Sequence, residues 1–385
     1  MKWKAAVEKN LQWFYSSGVM VPENGLWGAA ERLAVKNGNQ ALNEILESFP
    51  AWSDREECYV IEQRRADCNF QIAWLFLLAD RAFPGCGYGE TGVNILDFLY
   101  FRSGLLERQK NASVPGNWNW SHIKRESVVY FDDEAWCIFI QLRIADEFPE
   151  LDQRYHMRYW AETLAESLYC GATDPEKRPL WRGHLADPHW GALAAMALAQ
   201  AAGNDTGKYR DFCLEYFQNV QCPNVSEYAY ALLGAVNCAL KFGKEDFMPF
   251  VEKYAGELTA KSDPASGLLP AEHGRETPIG SNLADLIYTI NWSSAGLRET
   301  GLLLHDKSAE VAAKQLSFLR KIQDTSESRT FRGCWRGMYD LDAAKWGGGD
   351  LFEGGANSIY TGWTNAPIAL TMLFEHTKKS MFGNP

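Results

Sequence analysis

The sequence has no apolar run long enough to cross a bilayer. The longest, residues 72–79 and 192–199, fall far short of the roughly 20 residues a spanning helix needs. The opening segment MKWKAAVEKNLQWFYSSG mixes charged and apolar residues at helical spacing and lacks the unbroken apolar stretch of a secretory signal. There is no long basic run, and the net charge is −11. Phosphate backbones and anionic membrane surfaces are therefore not expected partners. Cysteines number nine, an odd count, with no Cys-x-x-Cys pair, and Cys137, Cys213 and Cys238 sit inside apolar helical segments. That pattern reads as buried reduced thiols in a cytoplasmic protein. Histidine is scarce, with seven in the chain and only His184 and His189 close together. A structural metal needs clustered ligands, so neither a metal nor another cofactor is expected.

What the chain has in excess is aromatic side chains: 15 Trp, 16 Tyr and 20 Phe in 385 residues. Trp118, Trp120, Trp181, Trp190, Trp335, Trp346 and Trp363 lie in Gly-, Pro- or Asn-rich segments rather than in helical stripes. Some of these serve simply to fill a large core. Tryptophan concentrated in loops also suits stacking on the apolar faces of sugar rings.

Apolar residues recur at three/four spacing almost from end to end. This predicts helices over 2–16, 28–47, 61–81, 92–102, 133–148, 151–170, 188–202, 206–219, 226–242, 244–259, 282–304, 309–322 and 358–376. Segments such as 191–202 are apolar nearly all round, which marks a helix buried on several sides. Short links at 148–150, 202–205 and 243 alternate with long ones at 104–131, 171–187, 261–281 and 323–357. Short links make antiparallel hairpins, and long links rich in Gly, Pro and Trp gather at the other end. The expectation is an all-α (α/α)6 toroid of six helical hairpins, with residues 1–385 forming one domain and the long loops framing a cleft. An α-solenoid is the rival, but no repeating sequence period supports it.

The stretch Val128-Val129-Tyr130-Phe131-Asp132-Asp133-Glu134-Ala135-Trp136 carries the strongest chemical signal. Either aspartate can cap the helix that follows, because a short carboxylate accepts unpaired backbone N–H groups of the first turn. One cap suffices, so a second carboxylate beside tryptophans points to acid/base chemistry on a sugar. A doubly acidic helix start without chemistry is the alternative. Glycoside hydrolysis pairs a protonated carboxyl with a second carboxylate. Asp67, after Arg64 and Arg65 and ahead of a very apolar helix, is a candidate partner or a buried ion pair. Glu272, beside His273 in a loop, is a candidate opposing group or an exposed acid. Asp350 and Glu353 stand among five glycines at 346–357, and Tyr360 and Trp363 follow in a polar, aromatic helix start suited to hydroxyl recognition. That loop lacks the ending of a phosphate-binding P-loop. Arg182, His184 and His189 flank Trp181 and Trp190, and Arg336 follows Trp335. Arg182 or Arg336 can grip a sugar carboxylate bidentately, while solvation is the ordinary fate of a single Arg.

These residues carry a resemblance. The chain resembles the six-hairpin glycosidase superfamily, whose one fold serves hydrolases, lyases and sugar epimerases. Tyr130-Phe131-Asp132-Asp133-Glu134-Ala135 is similar to the Tyr-x-Asp-Asp-x-Ala signature of glycoside hydrolase family 76, the α-1,6-mannanases. The resemblance implies that Asp132 and Asp133 are catalytic carboxylates. Ser17-Gly18-Val19-Met20, Trp27-Gly28-Ala29-Ala30-Glu31-Arg32 and Arg65-Ala66-Asp67-Cys68 are more similar to the β-glucuronidase-type branch around family 154. The expected function is hydrolysis of oligosaccharides, uronic-acid-containing ones included, by an exo-acting enzyme working in the cytoplasm on imported substrate. Asp133 leads and Asp132 stands beside it, with Glu272 or Asp67 opposite. Trp120, Trp181, Trp346 and Trp363 are expected to stack on sugar. The rivals are an epimerase or isomerase using His184, His189 and His273 for proton transfer, and a sugar-binding protein without activity. A terpenoid cyclase fits less well, because Trp136 stands where its aspartate-rich motif needs Asp. The sequence carries no mark of its oligomeric state.

Overall fold

Helices that are apolar on every side can only be satisfied inside other helices. Some segments of this chain meet that condition, and the six helices of the inner wall are all buried over most of their length. The structure is a computed structural model describing residues 2–36, 46–49, 51–123, 129–203, 207–272, 282–349 and 354–383. The inner helices are α2 (Ala66–Ala82), α4 (Phe131–Glu147), α7 (Pro188–Ala201), α9 (Val225–Phe242), α11 (Ile290–Leu304) and α13 (Ala366–Thr377). Each packs against the next, and α13 packs back on α2, so the ring closes. Outside them lie α1 (Lys2–Ser16), α3 (Tyr88–Asp97), α5 (Pro149–Tyr155) with α6 (Met157–Thr173), α8 (Gly207–Asn219), α10 (Lys244–Lys261) and α12 (Ser308–Ile322). Each outer helix pairs with the inner helix before it, and α1 closes the circle by packing on α13. This is the all-α (α/α)6 toroid.

The links from inner to outer helices are short, so all six inner helices run the same way. Their N-termini converge on one end, to which the long links return. One outer-to-inner link, Val220 to Asn224, is also short; there Asn224 caps α9 by accepting the N–H of Glu227 at 3.2 Å. The opposite end is sealed by residues 379–383. Arg298 donates to the carbonyls of Phe374 and Lys379, both at 2.8 Å, and Arg143 donates to that of Met381 at 2.9 Å. Phe382 is thereby held in the core, edge-on to Phe139.

The helix boundaries depart from the sequence pattern where distant strands intervene. Arg32–Val35 is strand β1, not part of a helix over 28–47. It pairs antiparallel with β3 (Cys58–Ile61) and with β9 (Ser358–Tyr360), while β2 (Trp52–Asp54) pairs on β3. Helical spacing over so short a segment cannot compete with ladder partners on both edges. Residues 28–31 form no helix, 46–47 are helical, and 37–45 lie outside the described residues. The first residues of the predicted helix 282–304 form β6 (Leu283–Asp285). Asp285 then accepts the N–H groups of Ile287 and Tyr288, a local turn that delays α11 to Ile290. The predicted helix 151–170 is two helices broken at His156, which sits at φ 56°. The segment 358–376 begins as β9 and a wide turn, Thr361–Asn365, before α13. A Cβ on Gly362 would lie 2.3 Å from the Cα of Cys68, so only glycine allows this turn to lie against α2. Among the described residues no helix is long and apolar enough to cross a membrane.

Candidate active site

The chain reaches α4 as a short extended strand, β4 (Val129–Tyr130), held in parallel register by β5 (Trp181–Arg182). Tyr130 is the boundary residue, and no side chain caps the helix. Neither Asp132 nor Asp133 is a cap. Both lie one turn-fraction inside, with Glu134, in the first turn of the helix. There the positive end of the helix dipole favours carboxylates without consuming their oxygens. Glu134 turns away and accepts the backbone N–H of Trp118 at 3.0 Å. Asp132 and Asp133 turn into a cleft of about 220 Å3 at the end where the inner N-termini meet. Arg65, Trp120, Tyr130, His189, Trp190, Ile287, Tyr288, Tyr360 and Trp363 line it with them. Every one of these residues stands at or just before the start of an inner helix, or in a long link.

The two aspartates have different partners. Asp132 Oδ2 meets His189 Nε2 at 2.9 Å, while its Oδ1 is buried with no hydrogen-bond partner. His189 is clamped between Trp190 and Tyr230, ring centroids 4.9 and 4.7 Å away and planes within 10° of parallel. Its backbone N–H donates to Glu227 at 2.7 Å. Asp133 instead receives Nη2 of Arg65. Arg65 also bonds Asp67 through Nε and Nη2, both at 3.1 Å, and Glu31 through Nη1 at 3.3 Å. Asp67 accepts the indole N–H of Trp363 at 2.9 Å as well. One guanidinium thus holds three carboxylates, and its carbon lies 5.7 Å from the Trp120 ring and 5.9 Å from the Trp363 ring.

Proton affinities diverge accordingly. Burial works to raise Asp132, but the hydrogen bond and charge of His189, with Arg65 and the Asp133 backbone N–H, outweigh it and hold the carboxyl below its ordinary range. Burial raises Asp133 well above that range, and Asp67, Asp132 and Glu134 add to the rise against the opposing pull of Arg65. Burial likewise raises Glu134, against the Trp118 N–H.

The residues singled out from sequence divide clearly. Asp132, Asp133, Trp120, His189, Tyr360 and Trp363 come together at the cleft. Asp67 lies behind it as the joint between Arg65 and Trp363. Trp181 is buried in a face-to-face stack on Phe131, centroids 4.7 Å apart, so it has no face for a sugar. Arg182 and Glu272 are exposed and outside the lining, and His184 packs edge-on to Trp190 away from it. Arg336 pairs with Asp324 at 3.7 Å and lies over Phe331. Trp346 packs edge-on to Tyr339 in the sheet of β6, β7 (Met338–Asp340) and β8 (Lys345–Trp346). His273, Asp350 and Glu353 lie outside the described residues. Sequence reasoning missed Arg65, Tyr130, Ile287 and Tyr288 as cleft residues and Glu31 behind them, and it named Trp190 only among the loop tryptophans in general. Position just before an apolar helix was the available signal for Arg65, Tyr130 and Tyr288. Among the described residues no three His, Cys, Asp or Glu side chains are grouped to hold a metal.

No family model and no curated protein matches this chain. Solved structures do. A sugar epimerase from a ruminal bacterium superposes with a TM-score of 0.62 at 11% identity, covering 97% of this chain and 98% of its own. A D-mannose isomerase gives 0.61 at 13% identity, covering 97% of each chain. An inactive variant of an α-1,6-mannanase from Salegentibacter sp., in complex with α-1,6-mannotriose, gives 0.57 at 11% identity, covering 96% of this chain and 98% of the other. At such identities the likeness is one of fold, and the fold this chain shares with all three is the (α/α)6 toroid.

Proposed function

We propose that the protein is a glycoside hydrolase that acts on oligosaccharides, with Asp133 as the general acid and Asp132 as its companion carboxylate. The observation that carries this reading is the pair itself. Two adjacent carboxylates face one cleft, and their surroundings push their proton affinities in opposite directions. Acid/base catalysis requires that division. Asp133 keeps its proton and delivers it to the leaving glycosidic oxygen. Asp132 stays ionised, and its Oδ1, which has no partner within the protein, serves the anomeric carbon or its attacking water once a sugar is seated. Trp120, Trp190 and Trp363 supply aromatic surface around them. The cleft, of about 220 Å3, has room for a sugar ring, and we read the action as exo. The epimerase and mannanase of like fold support a carbohydrate substrate.

The epimerase reading has one observation in its favour, the position of His189 in the cleft on Asp132. Among the described residues His189 is the only histidine lining the cleft, whereas proton removal and return on a sugar carbon by imidazoles calls on more than one. The test is Asp133→Asn and Asp132→Asn against a panel of mannose, glucose and uronic-acid oligosaccharides. We expect each to lower turnover at least about 10²-fold while folding survives. Both variants retaining wild-type turnover would overturn the assignment. Solvent deuterium appearing at a sugar carbon without release of reducing sugar establishes the epimerase instead, and binding without either reaction establishes a binding protein.

A further inference from the structure

Each cation that the sequence offered for gripping a uronic acid is unsuited to it. Arg182 is exposed outside the cleft lining, and Arg336, 3.7 Å from Asp324, is not part of that lining either. The guanidinium lining the cleft is that of Arg65, which sits among Glu31, Asp67 and Asp133, and the other basic group there, His189, is paired with Asp132. Even with Asp133 holding its proton, Glu31 and Asp67 leave that guanidinium no positive excess. The ionised Asp132 adds further negative charge close by. The convergent helix N-termini do not reverse this. Their first turns already carry Asp67 on α2, Asp132, Asp133 and Glu134 on α4, and Glu227 on α9.

We propose that the cleft selects uncharged sugars and excludes uronates, and that Glu31 is a specificity-determining residue because it cancels the charge of Arg65. This rests on the reading of the cleft as a sugar site. Glu31 is well placed for the role. Its backbone N–H donates to the Gln63 carbonyl at 2.8 Å, and its own carbonyl accepts the Thr361 N–H at 2.9 Å. That pins it between the segment leading to α2 and the segment leading to α13, where its carboxylate meets Arg65 from the side away from the cleft aspartates. A sugar carboxylate in the cleft would meet the ionised Asp132 at close range, with Arg65 already paired to Glu31 and Asp67 and His189 already paired to Asp132. Like-charge juxtaposition at such distances is strongly unfavourable. The neutral hydroxyls of a hexose, by contrast, find carboxylate and guanidinium edges that both accept and donate.

The experiment titrates tryptophan fluorescence with matched methyl hexosides and methyl uronides, alongside release of p-nitrophenol from the corresponding glycosides. Wild type is expected to bind the hexosides at least about 100-fold more tightly than the uronides. Glu31→Gln, which leaves the Arg65 charge less covered, should reduce that ratio about tenfold, chiefly through the uronide Kd. A merely structural role for Glu31 lowers stability and leaves the ratio alone. Uronides binding as well as hexosides, no sugar binding, or a ratio unmoved in a folded Glu31→Gln protein overturns the proposal. If the variant does not fold, the wild-type ratio decides. Discrimination without hydrolysis of any glycoside would sink the hydrolase reading and keep this one; efficient hydrolysis of uronides does the reverse.

Discussion

Asp67→Asn isolates a residue that does not line the cleft yet holds two of its walls. Asp67 accepts Arg65 Nε and Nη2 at 3.1 Å and Trp363 Nε1 at 2.9 Å while almost wholly buried. Asparagine keeps one oxygen and turns an N–H2 toward donors, so at least one of these bonds becomes a clash of donors. Breaking a buried ion pair costs about 3–5 kcal/mol. Arg65 retains Glu31 and Asp133, so about 3 kcal/mol is expected. At about 2.1 cal/mol/K per residue, 385 residues have an unfolding entropy near 0.8 kcal/mol/K. The melting temperature should therefore fall by about 4 °C, read by calorimetry or circular dichroism. Loosened Trp363 and Arg65 should lower kcat roughly 10²-fold, since small misplacements in a site are costly. The pH profile carries the sharper content. The charge of Asp67 helps to raise Asp133, and Asp133 must hold its proton to act as an acid. Without that charge the proton leaves at lower pH, so the alkaline limb of kcat/KM moves down. A fall in melting temperature with the alkaline limb in place, or moved up, would refute the reasoning.

Three further tests bear on the same structure. His189→Phe keeps an aromatic ring between Trp190 and Tyr230 but removes the hydrogen bond and charge that lower Asp132. The acid limb of kcat/KM should move to higher pH, and an unmoved limb argues against Asp132 acting as an anion. Phe382→Ala empties a core site at the sealed end of the toroid. It should cost about 3–5 kcal/mol, or about 4–6 °C in melting temperature by the same entropy, with kcat unchanged because the cleft lies at the other end. Gly362→Ala forces the turn before α13 off Cys68, and since that turn carries Trp363, activity should fall more steeply than stability; the reverse order would count against Trp363 as a cleft wall.

Much of the architecture was legible because a helical repeat is a local property. The apolar segments 191–202 and 226–242 declare buried helices from spacing alone, and the alternation of link lengths implies hairpins. The missed strands share one cause. β1, β6 and β9 are short and take their partners from segments far off in sequence, so no local window distinguishes them from helix. The acidic pair announced itself, because two aspartates ahead of an apolar helix exceed what a cap requires. Trp181 and Trp346 shared the loop composition of Trp120 and Trp363, and composition does not say which face of a ring is covered.

The sequence by itself determined that this chain builds a ring of apolar helices with carboxylates at one helix start, since both follow from residue order over a few turns. Only the tertiary structure decided which groups surround those carboxylates. Glu31, Arg65 and Asp67 come from two separate segments, and His189 and Trp363 from two more, and they meet only because six helix N-termini are brought to one mouth. The divergence of Asp132 and Asp133, neighbours in the chain, arises there: one carboxyl faces an imidazole, and the other faces a guanidinium already shared with two more acids. Burial and charge at a point depend on everything packed around it, and that is a property of the closed ring rather than of any stretch of sequence.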